Sequence, residues 1–174
     1  KVGQLPLNYN EKSTGRPIVA GQGYKSSYLD VENSALIPFG YGLSYSKFVY
    51  GKLSLDRTTL SSSPHDGLEA KVLVKNIGER EGEEVVQFYI RDEVASITRP
   101  KLELKGFERL RLKPGESRYA HFRITREHLS FFNQSLEWGP ELGKFQVLVG
   151  PDSSRLESSE FSLVESRLIG FADE

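Results

Sequence analysis

Glu79, Glu81, Glu83 and Glu84 crowd into six residues. Paired carboxylates facing a sugar across a gap of several ångströms are the equipment of glycosidic bond hydrolysis, one serving as acid and the other as base or nucleophile. Here they share a hairpin-like stretch, Asn76 to Glu84, with Arg80 and Gly82. Nothing in the local sequence promises the burial that would raise a carboxyl pKa, so solvated turn charges are the expectation. Three histidines, His65, His121 and His128, are the remaining titratable candidates. His65 falls in a turn, and the gap between the other two crosses a strand end. Neither spacing matches a metal site. Gly21-Gln22-Gly23-Tyr24-Lys25-Ser26 lacks the spacing of a nucleotide-binding loop, with no preceding strand or following helix to position it. No Gly-x-Ser-x-Gly elbow appears. Cysteine is absent, which excludes disulfides, a thiolate nucleophile and cysteine metal sites. No catalytic residue, metal site or cofactor site is assigned on these grounds.

The elements that could position any of these side chains are strands. Leu68–Lys75, Ser117–Ile124 and Lys144–Val149 alternate apolar and polar residues, the pattern of half-buried strands, with Leu73 as the exception. Val85–Ile90 is more continuously apolar and suits a strand covered on both faces. Leu53–Leu55, Leu102–Leu112 and Phe161–Val164 supply further strands. Turn residues separate them at Pro64–Gly67, Asn76–Gly78, Lys113–Glu116 and Gly139-Pro140. One short helix is expected over 126–132, capped by Thr125. The fold class is all-β: an antiparallel β-sandwich of the immunoglobulin or fibronectin type III kind, over residues 46–165, preceded by a coil-rich extension over 1–45. Residues 166–174 form a tail.

The extension holds six glycines, three prolines and five of the eight tyrosines, Tyr9, Tyr24, Tyr28, Tyr41 and Tyr45. Tyrosine suits half-wet protein interfaces, so these residues are expected to strap the extension onto a larger domain. Trp138, the only tryptophan, is expected to pack at the sandwich end. Asn133-Gln134-Ser135 forms an N-glycosylation sequon. The formal charge of −1 argues against nucleic acid or an anionic membrane as the main partner. No run approaches the roughly 18 apolar residues of a membrane span.

Pro38-Phe39-Gly40-Tyr41-Gly42-Leu43-Ser44-Tyr45, followed by Phe48, resembles the signature of glycoside hydrolase family 3 at the junction between an α/β domain and a fibronectin type III-like domain. Gly3–Asn10, Thr14–Pro17 and Tyr24–Asp30 are similar to the close of that α/β domain. Val74–Gly78, Gly82–Tyr89, Arg99–Lys101, Leu104–Glu108, Leu112–Glu116, Trp138 and Gly143–Gly150 resemble the sandwich that follows. The likeness implies a carboxy-terminal portion of a retaining, exo-acting β-glucosidase, periplasmic or secreted. Its nucleophilic aspartate and acid/base glutamate would lie upstream, in a barrel and in the body of the α/β domain. Those missing domains of the same polypeptide are then the partners, and a β-glucoside is met only through them. No residue of this chain matches either catalytic motif.

The resemblance makes Pro38, Phe39, Gly40, Tyr41, Gly42 and Tyr45 the interdomain junction. Arg16, Tyr24, Tyr28 and Asp30 are candidates for the rim of the parent's sugar cleft, because Arg, Tyr and Asp cluster there in coil. The alternative is a freestanding β-sandwich that binds carbohydrate or protein.

Overall fold

The structure, a computed structural model, describes residues 9–12 and 34–166. Eleven strands and one helical turn follow in chain order: β1 Phe48–Tyr50, β2 Ser54–Leu55, β3 Thr59–Ser61, β4 Leu68–Asn76, β5 Gly82–Asp92, β6 Glu103–Leu112, β7 Ser117–Ile124, α1 Arg126–Leu129, β8 Phe131–Phe132, β9 Trp138–Gly139, β10 Gly143–Asp152 and β11 Arg155–Val164. One sheet places β4 at its centre, with β1 and β2 along one edge and β7 along the other. The second sheet has the order β3-β11-β10-β5-β6. All pairings are antiparallel except β3 with β11, which run parallel. That one parallel contact departs from the purely antiparallel expectation. The two sheets face each other as an all-β sandwich, as the alternation of the long strands predicts.

The core follows from the period of two. On β4, Leu68, Ala70, Val72 and Val74 are fully buried while Lys71 and Lys75 are exposed. Leu73 breaks the alternation and lies half-buried on the outer face. Val86, Phe88 and Ile90 of β5 meet Phe145, Val147 and Val149 of β10 and Ala120 and Ile124 of β7 in one cluster. Each such valine, isoleucine or phenylalanine contributes roughly 2 kcal/mol when buried. Phe88 stacks on Phe122 at 5.3 Å, and Phe145 on Phe161 at 5.6 Å. Where β6 of one sheet approaches β7 of the other, the Glu108 carboxylate accepts the His121 backbone N–H at 2.7 Å. A free edge donor is thereby occupied.

The short helix ends at Leu129, because Phe131 and Phe132 leave it to form a two-strand hairpin with Trp138 and Gly139. Its first turn is closed by His128, whose Nδ1 accepts the Thr125 N–H at 3.0 Å. Trp138 corrects the expectation made for it. It does not pack into the sandwich end but stands 59% exposed, tilted against Phe132 at 5.0 Å.

Candidate functional site

Two features single out one end of the sandwich: the segment 38–48, which carries the residues expected at an interdomain junction, and the groove beneath it. Pro38 through Tyr41 make a turn in which the Pro38 C=O accepts the Tyr41 N–H at 3.1 Å. Its third residue, Gly40, has φ 80°, the left-handed region that favours glycine. A Cβ on Gly40 would fall 2.1 Å from Gln87 Oε1. The turn is tied to the sandwich by the Ser153 N–H, which donates to the Phe39 C=O at 2.9 Å, and by Gln87 Nε2, which donates to Gly40 C=O at 3.1 Å and Pro151 C=O at 2.7 Å.

Gln87 and Tyr89 show that β5 is covered on both faces. They alternate with the core residues Val86, Phe88 and Ile90 and so point away from the inter-sheet core. Both are nevertheless buried. Tyr9 stacks on Phe39 at 4.0 Å and meets Tyr89 edge-on at 6.0 Å. Further along the same path, the Lys101 N–H donates to Glu11 C=O at 2.8 Å, and Lys101 Nζ pairs with the Glu11 carboxylate at 2.6 Å. Residues 9–12 and the Phe39-Gly40 turn therefore lie on the outer face of the second sheet. Burial raises the Tyr89 phenol pKa above its usual value, with Tyr9 adding to the effect.

Beyond Gly40 the segment turns outward. Tyr41 is 46% exposed, Leu43 91% and Tyr45 94%. Gly42 meets no atom that a Cβ would strike. Ser46 brings the chain back by donating to Asn76 Oδ1 at 2.6 Å. Arg16, Tyr24, Tyr28 and Asp30 lie outside the described residues.

The groove beneath, of 820 Å³, opens between the sheets and is lined by Tyr41, Phe48, Tyr50, Glu84, Val149 and Arg155 among others. Across it Tyr50 Oη of the first sheet donates to Glu84 Oε1 of the second at 2.7 Å. Glu84 is the exception among the four clustered glutamates. Glu81 pairs with Arg111 at 3.0 Å and Glu83 with Arg109 at 3.6 Å, both at the surface, where such pairs stabilise little. Glu84 is half-buried. Its burial raises its pKa, against the lowering by the Tyr50 hydrogen bond and by Arg155. The expectation that no glutamate here has a raised pKa is thus corrected.

Asp152 lies nearby, fully buried. Burial opposes its charge, but hydrogen bonds from the Ser154 side chain and backbone and from Arg155 outweigh this and hold its pKa low. Both of its oxygens are engaged: Oδ1 by Ser154 and the Arg155 N–H, Oδ2 by the Arg155 guanidinium at 2.7 and 2.8 Å. A carboxylate saturated in this way folds a hairpin and has no free oxygen to offer a sugar. The three histidines stay apart: His65 in the turn before β4, His121 on the open face of β7 and His128 in α1.

At the other end of β5, Asp92 Oδ2 and Arg99 Nε are buried with no hydrogen-bond partner among the described residues. Burial pushes the Asp92 pKa from its usual 3.8 up to about 6, while Arg99 pulls it down. A carboxyl raised in the folded state makes folding less favourable as pH climbs through the interval between the two values. Asp92→Asn is therefore expected to match the parent chain below about pH 4 and to be more stable by roughly 1 kcal/mol above pH 7, allowing for its partial exposure. Urea unfolding at the two pH values measures this. Equal stability at pH 7.5 would refute it.

Residues 84–153 match the family described as a fibronectin type III-like domain. The chain is 43% identical over 166 residues to the periplasmic β-glucosidase of Salmonella typhimurium, covering 94% of this chain and 21% of that protein. A crystal structure of a β-glucosidase from Listeria innocua in complex with glucose superposes with a TM-score of 0.85 at 41% identity, over 92% of this chain and 22% of that one. The chain belongs to glycoside hydrolase family 3. It spans about a fifth of the length of these relatives and corresponds to their carboxy-terminal part. A putative β-xylosidase of Formosa agariphila is also 38% identical, covering 93% of this chain and 20% of that protein. The relatives thus include proteins named for more than one sugar.

The residues that hold the junction in place, Gln87, Ser153 and Asn76, were missed by sequence reasoning. Asn76 falls at a turn signal in the sequence, and only the largely apolar character of 85–90, broken at Gln87, hints that the outer face of β5 is covered.

Proposed function

We propose that the chain is the non-catalytic carboxy-terminal module of a retaining, exo-acting β-glucosidase that works in the periplasm or is secreted. It braces the preceding α/β domain through the junction segment. One observation carries this reading: the segment is pinned to the sandwich through the Phe39 and Gly40 carbonyls and the Ser46 hydroxyl, while Leu43 and Tyr45 are exposed above 90%. Apolar side chains held out on a fixed backbone suit a face that another domain covers. The parent's terminal β-glucoside is hydrolysed upstream, since a retaining mechanism needs two carboxyls about 5 Å apart and Asp152 is already saturated.

In the full-length enzyme, Leu43→Asp combined with Tyr45→Asp is expected to remove about 3 kcal/mol of interdomain burial. The half-life at elevated temperature shortens, while kcat/KM of the surviving enzyme stays within about twofold. The same pair leaves the melting of the 174-residue chain unchanged, and that chain releases nothing from a chromogenic β-glucoside. Turnover by the chain that disappears with Glu84→Gln, or an unaltered half-life of the full-length variant, contradicts the reading. Arg16, Tyr24, Tyr28 and Asp30 approach the rim of the parent's cleft in this proposal. Arg16→Ala and Tyr28→Ala in the same full-length enzyme each lower kcat/KM by about tenfold, the loss of one good hydrogen bond. Unchanged values for both remove this part of it.

A further inference from the structure

The opposite end of the sandwich carries a second apolar surface that the junction does not use. β10 leads from one end to the other, about 30 Å for its ten residues. Where it starts, the β8–β9 hairpin is rooted by Phe131, buried beneath the Arg99 guanidinium at 4.2 Å from its ring. Phe132 and Trp138 are presented outward as a preformed pair, 58% and 59% exposed. Leu136, at the hairpin tip, is 80% exposed and holds φ 61°. That conformation suits glycine or asparagine better than leucine, so neither the turn nor the core accounts for an apolar side chain there. Gln134 of the hairpin donates to Ser96 C=O at 3.1 Å, and the Ser96 N–H donates to the Glu141 carboxylate at 2.8 Å. These bonds join the hairpin to the 93–102 loop, whose Val94 is 82% exposed.

The surface has an acidic margin, with Glu93 and Glu137 exposed and Glu141 half-buried. It is also continuous with the path of the extension, because Pro100 and Lys101 of the same loop hold Lys12 and Glu11. Most of the length of the relatives lies outside this chain.

We infer that this surface, centred on Phe132, Leu136 and Trp138, is a second docking face for the remainder of the same family 3 polypeptide. It meets a patch with an apolar centre and lysine or arginine at its margin. The inference rests on the reading of the chain as part of such a polypeptide. The extension makes that partner the economical one: it already runs from the junction to the 93–102 loop, so the same body reaches both ends of the sandwich without a second molecule. The tilt of 57° between the Phe132 and Trp138 rings offers no flat platform for a sugar.

Hydroxyl-radical footprinting read by mass spectrometry tests this, with the full-length polypeptide compared with the 174-residue chain. Trp138 and Phe132 are expected to oxidise several-fold more slowly in the full-length protein, and so is Tyr45. Leu136→Lys in the full-length protein is expected to restore oxidation at Trp138 and leave Tyr45 protected. Protection at Tyr45 with none at Trp138 overturns this inference and leaves the junction reading standing. Protection at neither overturns both. Trp138 protected in the 174-residue chain as its concentration rises assigns the face to a second copy, and protection there by added cellobiose assigns it to a sugar. Either result overturns the inference, as does a Leu136→Lys protein whose Trp138 stays protected.

Discussion

Asn76→Ala is expected to destabilise the sandwich by about 3 kcal/mol, lowering its melting temperature by roughly 10 °C. Asn76 ends β4 with no exposed surface. Its amide fills every role that it can. Oδ1 accepts Ser46 Oγ at 2.6 Å and the Gly78 N–H at 2.9 Å, and Nδ2 donates to Arg80 C=O at 2.7 Å and Leu112 C=O at 3.0 Å. One side chain thereby ties β4 to the β4–β5 turn, to the end of β6 in the other sheet and to the returning junction segment. Alanine leaves the Leu112 carbonyl buried without this donor and opens a void. Asn76→Asp separates the two halves of the network. It keeps the acceptor for Ser46 and Gly78, places a second oxygen against two carbonyls, and is expected to be at least as damaging near neutral pH. Its deficit shrinks as pH falls, because a protonated acid can again donate one bond. Thermal melts of the three proteins at pH 4 and pH 7.5 measure the effect. A loss below 1 kcal/mol for Asn76→Ala would mean that the network is not a structural centre.

Period-two alternation was enough to read the core of the sandwich, because Leu68, Ala70, Val72 and Val74 answer to a single rule: every second side chain faces the other sheet. What alternation does not encode is the contact of one face with a remote segment. Gln87 reads as a polar interruption within an apolar run, and only the approach of Gly40 and Pro151 turns it into a buried clamp. Glu84 differs from Glu83 by one position, yet that step moves it from a surface pair with Arg109 to the Tyr50 hydroxyl between the sheets. Position along the strand decides the face, and the edge of the sandwich decides how much water remains. Trp138 departs from its expectation for the opposite reason. A lone tryptophan between turn residues is expected to pack at the sandwich end, whereas a hairpin of two-residue strands has too little width to cover both of its faces. Gly40 and Gly42 stand two residues apart in one motif with nothing in the sequence to rank them, and the structure separates them.

That separation gives the second large effect. Gly40→Val is expected to release the junction from the sandwich without unfolding the sandwich itself. Valine is disfavoured at φ 80° by roughly 1–2 kcal/mol. Its Cβ, 2.1 Å from Gln87 Oε1, would also drive out a side chain held by Pro151 and by the Tyr89 hydroxyl. Together these weaken the attachment by about 3 kcal/mol, roughly a 100-fold rise in local opening. The core cluster contains neither Gln87 nor Tyr89, so the loss stays at the outer face. In hydrogen exchange the Tyr41 and Ser153 amides, whose acceptors are Pro38 and Phe39, should exchange about 100-fold faster, with Val147 and Val149 unaltered. The Tyr89 phenol, raised by burial beneath Tyr9, should return toward its ordinary titration range. Gly42→Ala is the control: it meets open space and should change neither quantity in this chain. In the full-length polypeptide Gly40→Val should shorten the half-life at elevated temperature as the Leu43→Asp and Tyr45→Asp pair is expected to, because both detach the same segment from opposite sides. Unchanged protection of Ser153 in Gly40→Val would show that the turn is not what holds the junction down.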